Sequence, residues 1–157
     1  MEEPHNNIST CFSGAPVPRE AIEALQRELV KLPQADNLIT QHHFADGMYC
    51  RTLWRPAGTL IVGKVHKREH FYIVASGRVL VTTEEGVKEL TGTTVVVSKP
   101  GTKRAVLALE DSTCLTVHRT DKTDLDAIEE DLIEYDGTAL FDAGNRPITK
   151  TITNAEA

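Results

Sequence analysis

Gly58-Thr-Leu-Ile-Val-Gly63-Lys64-Val65-His66-Lys67-Arg68-Glu69-His70-Phe71-Tyr72-Ile73-Val74-Ala75-Ser76-Gly77 decides the fold. Two short apolar runs flank a polar insert that carries two histidines, and glycines punctuate the stretch. Runs this short, bounded by turn residues, read as strands rather than helices. The same rhythm closes the region with Ser98-Lys99-Pro100-Gly101-Thr102-Lys103-Arg104 and then Leu115-Thr116-Val117-His118. In the last of these, Thr116 and His118 share one strand face while Leu115 and Val117 take the other.

Working outward, strand-like runs span 38–42, 48–54, 60–65, 71–75, 78–83, 87–90, 93–97, 105–109 and 113–119. Asp46-Gly47, Pro56-Ala57-Gly58, Ser76-Gly77, Glu85-Gly86 and Pro100-Gly101 separate them as turns. About nine strands with no helix between them predict an antiparallel sandwich or barrel. Before the strands, Pro18 begins a helical pattern in which Ile22, Leu25, Leu29 and Leu32 recur until Pro33. Its apolar stripe is expected to pack on the outside of a sheet or on a partner. After them, Thr123 reads as a cap with Asp126 as its partner, and Leu125, Ile128 and Leu132 line one face before Gly137. The expected organisation is an arm and amphipathic helix over 1–36, a β-barrel over 37–120, and a helix with a polar tail over 121–157.

The chain has 157 residues and 40% hydrophobic content, enough for one domain with its own core. No apolar run reaches the roughly 20 residues of a membrane span, and Met1-Glu2-Glu3 lacks signal-peptide character, so a cytoplasmic protein is expected. Cys11, Cys50 and Cys114 are too few and too scattered for a disulfide framework or a cysteine zinc site. A net charge of −6 disfavours general nucleic-acid binding. Between Gly58 and Arg119, however, nine Lys/Arg stand against six Asp/Glu. This locally basic centre suits a pocket for a small anion.

The glycine and histidine spacing resembles the cupin superfamily. Its first motif places two His one residue apart, a Glu four residues after the second, and a closing Gly. On that pattern Lys64 falls on the first His, His66 on the second, His70 on the Glu and Gly77 on the closing Gly. In the second motif Gly101 matches the glycine of the turn, and Arg104 stands where a third His is usual. The resemblance implies a mainly β cupin barrel, a double-stranded jelly roll, with flanking helices at both ends. It also implies a bend at Lys67-Arg68-Glu69, since His66 and His70 on one straight strand would lie roughly 13 Å apart. Enzymatic cupins commonly hold a transition metal through these four positions. Lys64 and Arg104 offer no lone pair, so the usual metal site is not expected here.

The string Gly63-Lys64-Val65-His66-Lys67-Arg68-Glu69-His70, followed by Pro100 to Arg104 and His118, is also similar to small cupin-like proteins of tailed bacteriophages. That resemblance implies a viral protein without an assigned activity. The expected function is non-catalytic binding of a small phosphate- or carboxylate-bearing ligand, such as a nucleotide-derived host defence signal, by Lys64, His66, His70, Lys103, Arg104 and His118. No cofactor is then required. The alternatives are a cupin enzyme, such as a dioxygenase, isomerase or hydrolase, either with His66, His70 and His118 holding one Zn, Fe, Mn or Ni ion or metal-free with His70 as general base, or a virion or assembly scaffold. A homodimer or higher homo-oligomer is expected in each case.

Overall fold

The computed structural model describes residues 15–137 and 139–148. Its elements run α1 (Arg19–Leu29), β1 (Ile39–Ala45), β2 (Met48–Arg55), β3 (Leu60–Val62), β4 (His70–Ser76), β5 (Arg78–Thr83), β6 (Gly86–Thr91), β7 (Thr94–Ser98), β8 (Ala105–Ala108), β9 (Ser112–Arg119) and α2 (Leu125–Leu132). The strands form two antiparallel sheets, ordered β1-β2-β9-β4-β7 and β3-β8-β5-β6. Tyr72, Val74 and Cys114 of the first sheet meet Val79, Val81, Val106 and Ala108 of the second in the core. Burying these side chains on both inner faces supplies the main driving force for folding. The result is the mainly β, two-sheet antiparallel architecture that the alternation predicts, in the jelly-roll form with flanking helices that the resemblance implies. Among the described residues no helix is long and apolar enough to cross a membrane.

All nine expected strands form, and one boundary change matters for the site. β3 stops at Val62 rather than Val65. Beyond it, Gly63 N donates to Arg104 O (2.9 Å), Glu134 N donates to Val65 O (2.9 Å), and Lys67 N donates to Leu132 O (2.7 Å). The segment after β3 therefore leaves the sheet and is held by residues around the end of α2. His66 forms an isolated antiparallel bridge with Ile133. The chain bends at Lys67 and Arg68 before β4 starts at His70.

Both helices differ slightly from expectation. Pro18 precedes α1 as its cap rather than occupying its first turn. The apolar stripe of α1 packs on the small sheet, with Ile22 against Val62 and Ala105 and with Leu25 and Leu29 alongside. At α2 the cap is Asp124, not Thr123, because the Asp124 carboxylate accepts from Ala127 N (3.0 Å). This helix ends at Leu132, well before Gly137, since Ile133 is already extended to bridge His66. Tyr49, Ile128 and Leu132 form the small core that seats α2.

Leu140 and Phe141 correct the expectation of a wholly polar tail. They are buried with Leu53 and Ile61, and they close one side of the barrel interior. The N-terminal arm over 1–14, with His5 and Cys11, lies outside the described residues, as does the tail over 149–157.

Gly77 matches the closing glycine of the motif and has φ +83°. A Cβ there would overlap the Ser112 hydroxyl and the Asp111 carbonyl oxygen. Ser112 is itself fixed in this corner, where its hydroxyl accepts from Arg78 N (3.1 Å) and donates to Glu110 O (2.7 Å). Gly77→Ala is therefore expected to cost about 3 kcal/mol through combined strain and clash. Urea unfolding should show the loss as a lower midpoint with little change in slope.

Candidate functional site

Three imidazoles converge at one end of the barrel. His70 opens β4, His118 lies near the end of β9, and His66 arrives from the bend held against Ile133. Their ring centroids are 4.2 Å apart for His66–His70, 4.2 Å for His70–His118 and 4.7 Å for His66–His118. One nitrogen from each ring lies within 4.8 Å of the others. His66 Nδ1 and His118 Nε2 are 2.6 Å apart, so one donates and the other accepts a single shared proton. His70 Nδ1–H donates to Arg68 O (3.0 Å), which leaves the lone pair on its Nε2 available to a ligand. His118 Nδ1 is buried without a hydrogen-bond partner.

The electrostatics keep this cluster neutral. Burial, then the neighbouring His70 and His118, then Arg51 and Arg104, hold His66 well below the usual histidine range. Burial is also the main cause at His70, with Arg104 and Arg51 adding to it. His118 is pushed down to about 3 by burial first, then by His70, Arg51 and Arg68. Neutral imidazole is the form that donates a lone pair to a metal.

The cluster borders a cavity of about 100 Å³ between the sheets, which His66 and His70 line directly. Lys64, Arg104 and Tyr72 contribute to the same walls. The Arg104 guanidinium carbon stands 5.2 Å from the Tyr72 ring centroid, a cation–π contact. Lys64 forms an ion pair with Glu129 of α2. Its charge is thus locally balanced.

Lys103 requires a correction. In the segment just before β8, Arg104 turns to the cavity while Lys103 turns to Asp136. It is buried in an ion pair with Asp136 (3.1 Å) and does not line the cavity with the histidines. His42 and His43 also diverge. His42 Nδ1 meets Tyr49 OH at 2.6 Å and does not belong to the triad.

No protein-family model matches the sequence, and no curated protein is significantly similar to it. Solved structures do match. KdgF from Halomonas sp. superposes with a TM-score of 0.50 and 14% identity, covering 60% of this chain and 88% of that one. An RmlC-like cupin from Shewanella frigidimarina gives 0.49 and 16%, with 57% and 82% covered. A cupin superfamily protein from Desulfitobacterium hafniense gives 0.47 and 11%, with 70% and 98% covered.

The chain has the cupin fold.

Within the cupin fold, two motif positions carry imidazoles, His66 and His70, while the first and last carry Lys64 and Arg104. The third imidazole comes from outside both motifs, from His118 on β9. Two further cavity residues, Arg51 and Arg55, are absent from the sequence-level site. The signal for them exists: Tyr49, Arg51, Leu53 and Arg55 fall on one face of β2, and that face is the one with buried Tyr49 and Leu53.

Proposed function

We propose that this cupin holds one divalent transition-metal ion through His66, His70 and His118, and acts on a small anionic molecule that enters the adjoining cavity. The observation that carries this reading is the convergence of three neutral imidazoles, His70 and His118 buried and His66 half-buried, within 4.8 Å. Tetrahedral Zn–N bonds of about 2.1 Å place ligand nitrogens roughly 3.4 Å apart, so the His66–His118 pair at 2.6 Å would spread and nitrogens up to 4.8 Å apart would close in. Three protein ligands leave a position open, where such an ion supplies Lewis acidity to a substrate oxygen. His70 is oriented by its bond to Arg68 O. Glu129 offsets the Lys64 charge, which removes half of the electrostatic objection that the sequence raises against a metal. Arg104 remains to attract the substrate anion.

Metal-free anion binding is the second reading, supported by the buried, unpartnered Nε of Arg104. The cavity of about 100 Å³ is well above the roughly 10–15 Å³ that one water needs. That suits a small organic acid, or only the phosphate end of a nucleotide-derived signal. Native mass spectrometry with elemental analysis separates the two readings. The metal reading expects one Zn, Fe, Mn or Ni per chain after purification without chelators or after reconstitution. A chain that takes up none of these ions overturns it.

We also propose that a second copy of this chain covers the outer face of the large sheet. Phe71 (48% exposed), Val95 (57%) and Val97 (55%) lie there together, with Val97 paired to Phe71 and Val95 to Ile73. Leu115 and Val117 of β9 continue the same rows. These rows carry no charge, so two copies can meet about a two-fold axis without repulsion. Sedimentation velocity should give a dimer for the native chain and a monomer for Val95→Lys with Val97→Lys. A monomeric native chain overturns the pairing.

A further inference from the structure

Arg55 is 4% exposed, and its Nε and Nη1 have no hydrogen-bond partner. A buried guanidinium is normally paired, because an unpaired buried charge is strongly destabilising. Among the described residues no ion pair involves Arg51, Arg55 or Arg104. The nearby carboxylates are committed elsewhere: Asp136 to Lys103 and Gln26, and Asp142 to Arg146. All three arginines line the same cavity, as does Tyr72, whose buried hydroxyl also lacks a partner. Arg104 lies over the Tyr72 ring. The cavity wall thus holds three guanidinium groups and a phenol, while its two carboxylates, Asp136 and Asp142, form ion pairs with Lys103 and Arg146 and, among the described residues, with none of these arginines.

We propose that Arg55, with Arg51, Arg104 and Tyr72, forms an oxyanion subsite that receives the carboxylate or phosphate end of a small organic anion. A guanidinium fork matches either group through paired N–H donors. Arg51 and Arg55 sit four residues apart on one face of β2, so their backbones are about 13 Å apart and the two side chains approach the cavity from separate points. This spacing grips an anion from two sides. The inference deepens the reading of the cavity as a ligand pocket and does not depend on the metal.

The test uses the full chain, with inorganic phosphate and succinate as separate probes in calorimetric titration and thermal-shift assays. The native chain should bind at least one probe. Arg55→Met should weaken that binding at least about tenfold, and without anion it should melt at or above the native temperature, since it removes an unpaired buried charge. Arg55→Lys keeps the charge but loses the fork, and should also weaken binding about tenfold. It decides the matter if the Met variant fails to fold. A phosphate-only response assigns a phosphate end, and a succinate-only response a carboxylate end. Metal uptake, measured on the same samples, should not change. Native-like anion binding in both Arg55 variants, or no response to either probe in the native chain, overturns the subsite. Loss of metal uptake in the native chain with anion binding retained overturns only the metal proposal.

Discussion

His118→Ala is expected to lower affinity for a divalent transition metal at least about hundredfold and to leave the purified chain without one. Loss of an outer partner of a metal ligand typically costs 10–100-fold, so loss of a ligand costs at least the upper end of that range. Only three imidazoles converge at the site among the described residues, so the two left after substitution cannot enclose an ion. His43→Ala is the matched control, because His43 pairs across the sheet with Cys50 on the outer face and belongs to no cluster. Elemental analysis and competition against a coloured chelator read the difference. A purely structural His118 would behave otherwise: the variant would lose stability, and metal uptake would be equally small in both proteins. Arg104→Ala adds a second axis. It should retain the metal, since guanidinium is not a ligand, while anion binding falls.

The physics of strands explains which parts of this structure are legible in the sequence. Period-two alternation is a strong local signal, and it places all nine strands within a few residues of where they form. It also pairs Thr116 with His118 on one face, which makes the third imidazole a candidate before any coordinates are seen. Lys103 and Arg104 precede β8, outside any strand, and they part toward Asp136 and the cavity respectively. Treating them as one basic patch puts Lys103 in a pocket that it does not line. Arg51 and Arg55 were hidden for a different reason. Charged residues in a strand usually mark the solvent face, and only their shared parity with Tyr49 and Leu53 shows otherwise. The β3 boundary and the end of α2 were not legible, because long-range bonds set both. Val65, His66 and Lys67 are bound to Glu134, Ile133 and Leu132, partners that no local pattern can announce. Leu140-Phe141 is likewise a lone apolar pair in a polar tail, and its burial is decided by the open flank of the barrel it fills.

Acid should unfold the metal-free protein early, with destabilisation starting below about pH 6.5. The sign follows from the direction of the shifts. Burial lowers all three histidines in the native state, so at any pH between the native and unfolded values the unfolded chain binds more protons, and stability is lost as the pH is lowered. Above about pH 6.5 neither state is protonated, and the histidines contribute no pH dependence. Below it, each imidazole that stays neutral in the native state costs about 1.4 kcal/mol per pH unit, or roughly 4 kcal/mol per unit while all three do. For His118 the loss continues down to about pH 3, its native value. Urea midpoints measured from pH 7.5 to 4.5 should therefore drop steeply in the metal-free native chain. In His118→Leu the slope over that range should shrink by about one proton. Added zinc should hold the stability nearly flat until protons compete it from the ligands, because ion and proton take the same lone pairs. Parallel slopes in the native chain and His118→Leu would mean that His118 is already protonated in the folded protein, and the neutral triad on which both metal and acid behaviour depend would be lost with it.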